Sequence, residues 1–573
     1  MKKTLFIFIA ISFISGVFAQ QKKTQSKTEV NIPQERIFVH YNTSFLLTGE
    51  QLLYKIYCFN AADSNFTNLS KVAYLALIDA DLKVHFKHKV IINSGVGQGD
   101  FYIPTSLNSG NYKLVAYTKW MLNGSENNFF QGDISILNPF VDNSEYLNSE
   151  TKNVSVIENE EQNNDFQIVN FITNKQIFSK REKVILSVNT TNNIDLTGKY
   201  SISVRKKETY KTPYKFSSEN FKTIFNDEKL FTNSKNVTEV PEFRGELISG
   251  KIVDKNSKKP ISDVNISMTI TGKEYLFKIS ETDKKGMFYF NINETYNSTK
   301  AILEIDHINR EYYEIVLNEE VSLDYNTIKF SDFRLMKEDR EKLKERSIHS
   351  QIENAYNLKK QDSVNNYVKT ASFFGTNVYT YVLDDYKRFP TLKETLVEIT
   401  EHIYYTRSKD NFTIKILGFD FLYNDLKPLL LIDGLQILDP NEIANLKTKN
   451  IKKIVVLKEN YVYGTIRYNG VVAFETFNGD YETLANESYK KNIDLFKPLV
   501  PKEYFEQKYI REDTNRIPDF RYQLFWNNNF SFSNIENSFT FFTSDNSGTF
   551  EVNLEGFTKN GEPISVKTFF EVK

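Results

Sequence analysis

From Glu35 almost to the last residue, apolar and polar side chains alternate in short runs that Gly, Asn, Asp or Pro usually closes. A period of two suits a strand with one face on a core and the other in water, and it does not suit a helix. The aromatic side chains reinforce it, because 47 Phe and 33 Tyr favour pleated surfaces while helical patterns are few. At 573 residues the chain exceeds what one core can serve, since single cores stop growing near ~250–300 residues. The pattern and the length therefore predict a mainly β chain, a string of β-rich modules.

Charge excludes some partners. Lys plus Arg is 72 and Asp plus Glu is 73, a formal charge of −1, which points to neither nucleic acid nor an anionic membrane surface. At the N-terminus, Lys2 and Lys3 precede an apolar run from Leu5 to Ile14, and Val17-Phe18-Ala19 reads as a cleavage site. Residues 1–19 are expected to be a signal peptide and 20–34 a disordered leader, and no cysteine after the site suggests a lipid anchor. No later stretch is apolar for the length of a membrane helix. The expected location is the periplasm or an association with the outer membrane, with no span of the chain's own. Cys58, the single cysteine, sits in a strand pattern and reads as a buried structural thiol.

Along the chain, residues 35–140 place Thr48-Gly49-Glu50 before a strand and end in Gly110-Asn111-Tyr112-Lys113-Leu114-Val115-Ala116-Tyr117. This order resembles a domain of the α2-macroglobulin family, a seven-stranded sandwich, although Thr48 replaces the family's proline. The bait region and the Cys-Gly-Glu-Gln thioester of larger macroglobulins are absent, so thioester trapping of proteases is excluded. After an acidic, Asn-rich linker, residues 166–236 read as a second macroglobulin- or immunoglobulin-like sandwich.

Residues 241–335 carry Gly250-Lys251-Ile252-Val253-Asp254 and the turn Thr282-Asp283-Lys284-Lys285-Gly286-Met287-Phe288. In that turn Asp caps, Gly supplies positive φ and Phe enters the core. The segment resembles the carboxypeptidase regulatory-like domain, a transthyretin-like sandwich without catalysis of its own. Residues 337–367 read as a helical linker whose charges form a solvated face.

Across residues 376–481 a helix opening with a Thr391–Glu394 capping box comes first, then a strand ending in Asp433-Gly434, then Ile454 to Lys458, and then Tyr463-Gly464 and Asn469-Gly470 before the last strand. This order resembles the plug domain of TonB-dependent outer-membrane receptors, which implies a small α+β domain beside the tandem β-sandwich modules. Fewer than a hundred residues follow Phe477, too few for a transporter barrel. Residues 515–573 are expected to form a separate C-terminal β-module. The combination resembles multi-domain Bacteroidetes envelope proteins.

Catalytic signals are few. The six histidines are scattered, and His85 and His88 fall on opposite faces of one strand. No His-Glu-x-x-His, Gly-x-Ser-x-Gly or Walker A motif occurs. Gly95-Val96-Gly97-Gln98-Gly99 reads as a hairpin loop, and Asp79, Asp81, Asp254 and Asp283 read as turn formers rather than calcium ligands. No catalytic, metal or cofactor residue is assigned. The candidate interaction residues are the plug-like turns Asp433, Gly434, Tyr463, Gly464, Asn469 and Gly470. The function expected is that of a non-enzymatic exported binding or scaffold protein in a transport or secretion assembly, with an outer-membrane barrel or envelope protein as partner. Two alternatives stay open, a plug-like subunit gating a separate barrel and a macroglobulin-like protease binder without a thioester.

Overall fold

The computed structural model describes residues 31–143, 147–148, 168–190, 195–224, 231–233, 238–318, 323–331, 334–364, 372–408, 411–417, 426–444, 446–481, 487–509, 517–532 and 538–573. The expected signal peptide and most of the expected leader lie outside these residues. Asn31–Pro33, assigned to that leader, instead pairs as a short strand with Phe231–Asn233. The described chain is mainly β and builds stacked sandwiches.

The first sandwich, A, holds β1 (Glu35–Tyr41), β2 (Phe45–Leu47), β3 (Gln51–Asn60), β4 (Val72–Asp79), β5 (Val84–Ile91), β6 (Val96–Tyr102), β7 (Gly110–Tyr117) and β8 (Phe130–Leu137). Its sheets run β1-β3-β6 and β2-β8-β7-β4-β5. The glycine-rich string is not all loop, because Gly97 and Gly99 lie within β6. A Cβ at Gly99 would stand 2.2 Å from the Tyr54 hydroxyl, so the strand is bare there to let that ring pass. His85 and His88 diverge on β5 as expected, one to Asp79 at 2.6 Å and the other to the Tyr54 hydroxyl at 2.8 Å.

Sandwich B begins with β9 (Val169–Thr173), β10 (Ile177–Phe178), β11 (Lys183–Thr190) and β12 (Gly198–Lys206), followed by the short helix α1 (Ser218–Ile224). Sandwich C then holds β13 (Glu246–Asp254), β14 (Asn265–Ile270), β15 (Leu276–Glu281), β16 (Met287–Ile292), β17 (Lys300–Asp306) and β18 (Tyr313–Leu317). Next come helix α2 (Arg340–Ala355) and a mixed-sheet domain, D. Domain D comprises β19 (Tyr379–Val382), α3 (Leu392–Glu398), β20 (Ile403–Ser408), β21 (Asn411–Ile416), β22 (Leu429–Ile432), β23 (Leu435–Gln436), β24 (Ile451–Leu457), β25 (Tyr461–Tyr463), β26 (Ile466–Tyr468) and β27 (Val471–Thr476). Its sheet runs β19-β24-β27-β22-β23, with β22 parallel to β27. Helix α3 opens with the Thr391–Glu394 capping box.

After domain D the chain returns to sandwiches already begun. β28 (Lys490–Asp494) pairs with β17 and completes the sheet β15-β14-β17-β28 of C, opposite β16-β13-β18. The last strands, β29 (Gln523–Phe530), β30 (Ser538–Phe542), β31 (Gly548–Thr558) and β32 (Pro563–Val572), complete B, whose sheets run β9-β11-β30 and β10-β32-β31-β12-β29. One core joins Val184, Leu186, Ile202, Phe541, Phe550 and Leu554. Residues 166–236 and 515–573 are therefore two halves of one sandwich, not two modules. Four strands from either side cannot cover two sheet faces alone, so each half buries its apolar face only against the other.

Sandwich A packs on B through β1, every residue of which is buried. A strand so enclosed has both faces covered: one turns into the core of A, and the other meets β12 and β31. There Phe557 stands 5.5 Å from Phe38 and 4.6 Å from Phe59. Polar contacts cross the same surface. His40 Nδ1 lies 2.6 Å from Ser201 Oγ, the Tyr57 hydroxyl donates to the Glu555 carbonyl at 3.0 Å, and Lys55 Nζ donates to the Tyr200 carbonyl at 2.9 Å.

Helix α2 departs from the solvated reading of its charges, because Arg346 is 1% exposed. Burial is tolerable because all five guanidinium N–H groups find acceptors: both Glu50 carboxylate oxygens, Glu208 Oε1, the Tyr210 hydroxyl and the Phe45 carbonyl. The helix thereby clamps A, the segment after β12, and itself.

Candidate functional site

The plug-like turns can now be placed. At the end of β22 the carboxylate of Asp433 accepts from Thr476 N at 2.8 Å, Thr476 Oγ1 at 2.6 Å and Tyr481 N at 3.0 Å. These bonds hold Asp433 at φ 47°, a left-handed value that Asp tolerates better than most residues. Gly434 follows at φ 84°, and a Cβ there would lie 2.3 Å from the Tyr275 ring of β15's approach. Its carbonyl accepts from Thr269 Oγ1 of β14 at 3.1 Å. The turn therefore seats D directly on sandwich C.

Tyr463, at the tip of the β25–β26 hairpin, does the same from another side. Its hydroxyl donates to the Phe277 carbonyl at 2.7 Å, and its ring stacks on Phe277 with centroids 5.7 Å apart. Burial pushes its hydroxyl pKa up to about 12. Gly464 faces Ile279, with 3.6 Å to a built Cβ. Asn469 and Gly470 lie away from C. Asn469 N donates to the Lys427 carbonyl at 3.0 Å, and a Cβ on Gly470 would meet the Leu457 carbonyl at 2.2 Å. Three of the six predicted residues, Gly434, Tyr463 and Gly464, thus form an internal joint, and the other three shape turns of D.

Beside that joint opens a cleft of about 720 Å³ where A, C and D meet. Tyr463 and Gly464 form one wall, Ile91 at the end of β5 another, and the β16 segment around Tyr289 a third. Apolar surface is open to water here, with Phe243 at 54%, Tyr289 at 43% and Ile91 at 38% exposure. Lys71, Arg244 and Lys278 line the cleft, and no Asp or Glu does. Lys278 is paired with Glu294 at 2.9 Å, whereas Lys71 and Arg244 have no ion pair among the described residues. Sequence reasoning missed these residues because they come from segments far apart in the chain, and their only local signal was apolar side chains on edge strands.

A second cavity, of about 210 Å³, lies between A, B and α2 beside Arg205, Glu353, Lys360 and Trp526. Its charges are mostly committed: Lys360 pairs with Glu353 at 2.7 Å and Arg205 stands 3.7 Å from both Glu50 and Glu208. It is a packing junction. Among the described residues no group of three His, Cys, Asp or Glu side chains is placed to hold a metal, and no helix is long and apolar enough to cross a membrane. Asp79, Asp254 and Asp283 each accept backbone N–H groups of their own turns, as expected of turn formers.

No protein-family model matches the chain, and no curated protein matches it. Among solved structures it is similar to trypsin-activated α2-macroglobulin from Escherichia coli, at 10% identity and a TM-score of 0.24, over 95% of this chain and 42% of that one. Salmonella α2-macroglobulin reacted with methylamine is similar at 9% identity and a TM-score of 0.24, over 95% and 40%. Dimeric latent PorU from Porphyromonas gingivalis follows at 11% identity and a TM-score of 0.15, over 50% and 33%. The chain spans about two fifths of the length of those macroglobulin structures. TM-scores this low carry no argument about the chain, and its β-sandwich class rests on its own sheets and cores.

Proposed function

We propose that this chain is a non-enzymatic, exported binding or scaffold protein of the outer-membrane envelope, acting through protein–protein contacts in a transport or secretion assembly. One observation carries the reading: β-rich modules interlock around a wide cleft whose apolar surface is exposed and whose lining charge is of one sign. Exposed apolar surface rimmed by polar groups is a common mark of an interaction site. The regulatory-like and plug-like resemblances of C and D fit envelope work of this kind. Gating of a separate barrel fits less well, because Gly434 and Tyr463 of the plug-like domain are already committed to sandwich C.

The test is affinity purification of tagged protein from native detergent-solubilised envelopes, followed by mass spectrometry. One envelope protein recovered in near-equal amount supports the reading. Recovery of a protease would favour the thioester-free protease-binding alternative. Protein recovered alone from the soluble fraction would overturn the assembly role.

A further inference from the structure

We infer that the cleft between A, C and D receives a protruding acidic segment of a folded partner protein, held through side chains around the exposed pair Phe243-Arg244. This rests on the scaffold reading above and names its site and the chemistry of its partner.

The backbone around the cleft is already engaged, so recognition falls to side chains. Tyr289 N donates to Ser280 Oγ at 3.2 Å, Asn293 N to Glu294 Oε2 at 3.2 Å and Met287 N to Asp283 Oδ1 at 2.9 Å. On the wall supplied by A, Leu499 N donates to the Lys89 carbonyl of β5 at 2.8 Å, and Ile92 N donates to the Lys71 carbonyl at 2.8 Å.

Phe243 and Arg244 sit on a turn anchored at both ends. Before them Glu242 is buried. Its carbonyl accepts from Lys71 N at 2.9 Å, and its carboxylate accepts from the Tyr74 hydroxyl and from Leu247 N, each at 3.1 Å. After them Gly245 has φ 105° and lies so close to the end of β16 that a Cβ would stand 2.1 Å from the Ile292 carbonyl. The turn is thus set before any partner arrives, and little ordering is left for binding to impose. Aromatic side chains and Arg are also the residue types that interfaces favour.

Charge selects the partner. Lys71, Arg244 and Lys278 line the recess with no Asp or Glu among the lining residues. Lys278 is held by Glu294, and the Glu242 carboxylate is turned to Tyr74 and Leu247. Neither Lys71 nor Arg244 has an ion pair among the described residues, so their charge is available to a partner. Ile91, Phe243 and Tyr289, each more than a third exposed, supply apolar contact between them. A small molecule is bound with most of its surface covered, and walls this open do not cover one. A protein protrusion fits them: its carboxylates meet Lys71 and Arg244 while an apolar side chain fills the recess.

The test replaces Tyr289 by the photo-cross-linker p-benzoylphenylalanine in the full chain and irradiates native envelopes. Tyr312, exposed elsewhere on C, is replaced in the same way as a control. Mass spectrometry is expected to map the cross-link at 289, and not that at 312, to a net-acidic segment of one other protein. Lys71→Glu with Arg244→Glu should lower the yield about tenfold or more, since like charges set face to face oppose docking. Changing the mapped carboxylates of the partner to lysine should restore it. Thermal melts check that the double variant folds, and raising salt from about 0.05 to about 0.5 M should lower the yield without any charge reversal. A neutral or basic cross-linked segment, a second copy of this chain, a small-molecule adduct, an unchanged yield after charge reversal or in salt, or no cross-link would overturn the inference. Affinity capture separates the two claims. A partner captured by the full chain without a cross-link at 289 would remove the cleft inference and leave the scaffold reading standing, whereas no partner by either route would overturn both.

Discussion

Arg346 grips Glu50 through two parallel hydrogen bonds, Nε to Oε1 at 2.7 Å and Nη2 to Oε2 at 2.6 Å. The two residues lie 296 positions apart, and both side chains are nearly inaccessible. Burial alone would raise the Glu50 pKa, but the guanidinium outweighs it and holds the carboxyl below its ordinary value. Removing one partner of such a pair leaves a buried charge with no compensation, which costs about 3–5 kcal/mol. Arg346→Met should therefore lower the urea midpoint strongly, with the transition followed by tryptophan fluorescence, to which Trp526 beside the adjacent cavity contributes together with Trp120. Adding Glu50→Gln should recover part of that loss, because the stranded charge is then gone. A midpoint within about 1 kcal/mol of wild type for Arg346→Met would show that the clamp contributes little.

Much of this architecture was legible in local sequence, and the illegible parts share one cause. The Asp433-Gly434 turn and the Thr391–Glu394 cap could be read because the groups that satisfy their backbone lie within a few residues or in adjacent strands. The buried state of Arg346 could not be read, since the carboxylates that make it tolerable arrive from other modules and a helix rich in Lys and Glu ordinarily faces water. The split of sandwich B was hidden for the same reason: Lys183 pairs with Phe542 across an inserted pair of domains. One signal did exist. Each half offers about four strands, too few for two covered layers, and a count of strands would have asked where the rest came from. The cleft has no local signature beyond apolar side chains on edge strands, because Lys71, Arg244, Tyr289 and Tyr463 are brought together only by packing.

The A–B interface should be acid-sensitive. His40 is buried between β1 and β12, and burial first, then Lys215, Lys55 and Lys567, hold its pKa well below the ordinary value. Its Nε2 has no hydrogen-bond partner among the described residues. The unfolded chain takes up a proton near pH 6.5 and the folded chain does not, so stability present above that pH is lost as pH falls below it, by about 1.4 kcal/mol per unit. Denaturation midpoints at pH 7 and pH 5 should differ less for His40→Gln than for wild type. An equal difference would mean that other groups set the acid limit.

Lys55 gives the opposite end of the pH range the same logic. Burial, with a smaller contribution from Lys199, lowers its pKa to about 7, and its amine donates to the Tyr200 carbonyl. The unfolded lysine stays charged to about pH 10.4, so the unfolded state binds more protons between those values and stability rises with pH. Wild type should gain stability from pH 7.5 to about 9.5, below the range where unfolded tyrosines ionise. Lys55→Met should be flatter over that interval. If the two slopes match, Lys55 is charged in the folded protein and the interface must solvate it.

The joint between C and D can be broken at one atom. Gly434 has φ 84° and no room for a Cβ, which would lie within 2.3–2.5 Å of three atoms of Tyr275. Gly434→Ala therefore combines backbone strain with a clash against a ring that Phe373 also contacts. A cost of about 1–3 kcal/mol is expected, felt at the joint rather than in either core. Tyr463→Phe is the milder companion, removing only the bond to the Phe277 carbonyl, about 0.5–1.5 kcal/mol. Limited proteolysis should then cut Gly434→Ala between sandwich C and domain D faster than wild type, with Tyr463→Phe between them. If D serves as a gate that leaves C, weakening this joint would increase its activity. If the joint holds the cleft in shape, as the shared wall at Tyr463 implies, both variants should weaken partner capture in the same order as they loosen the joint.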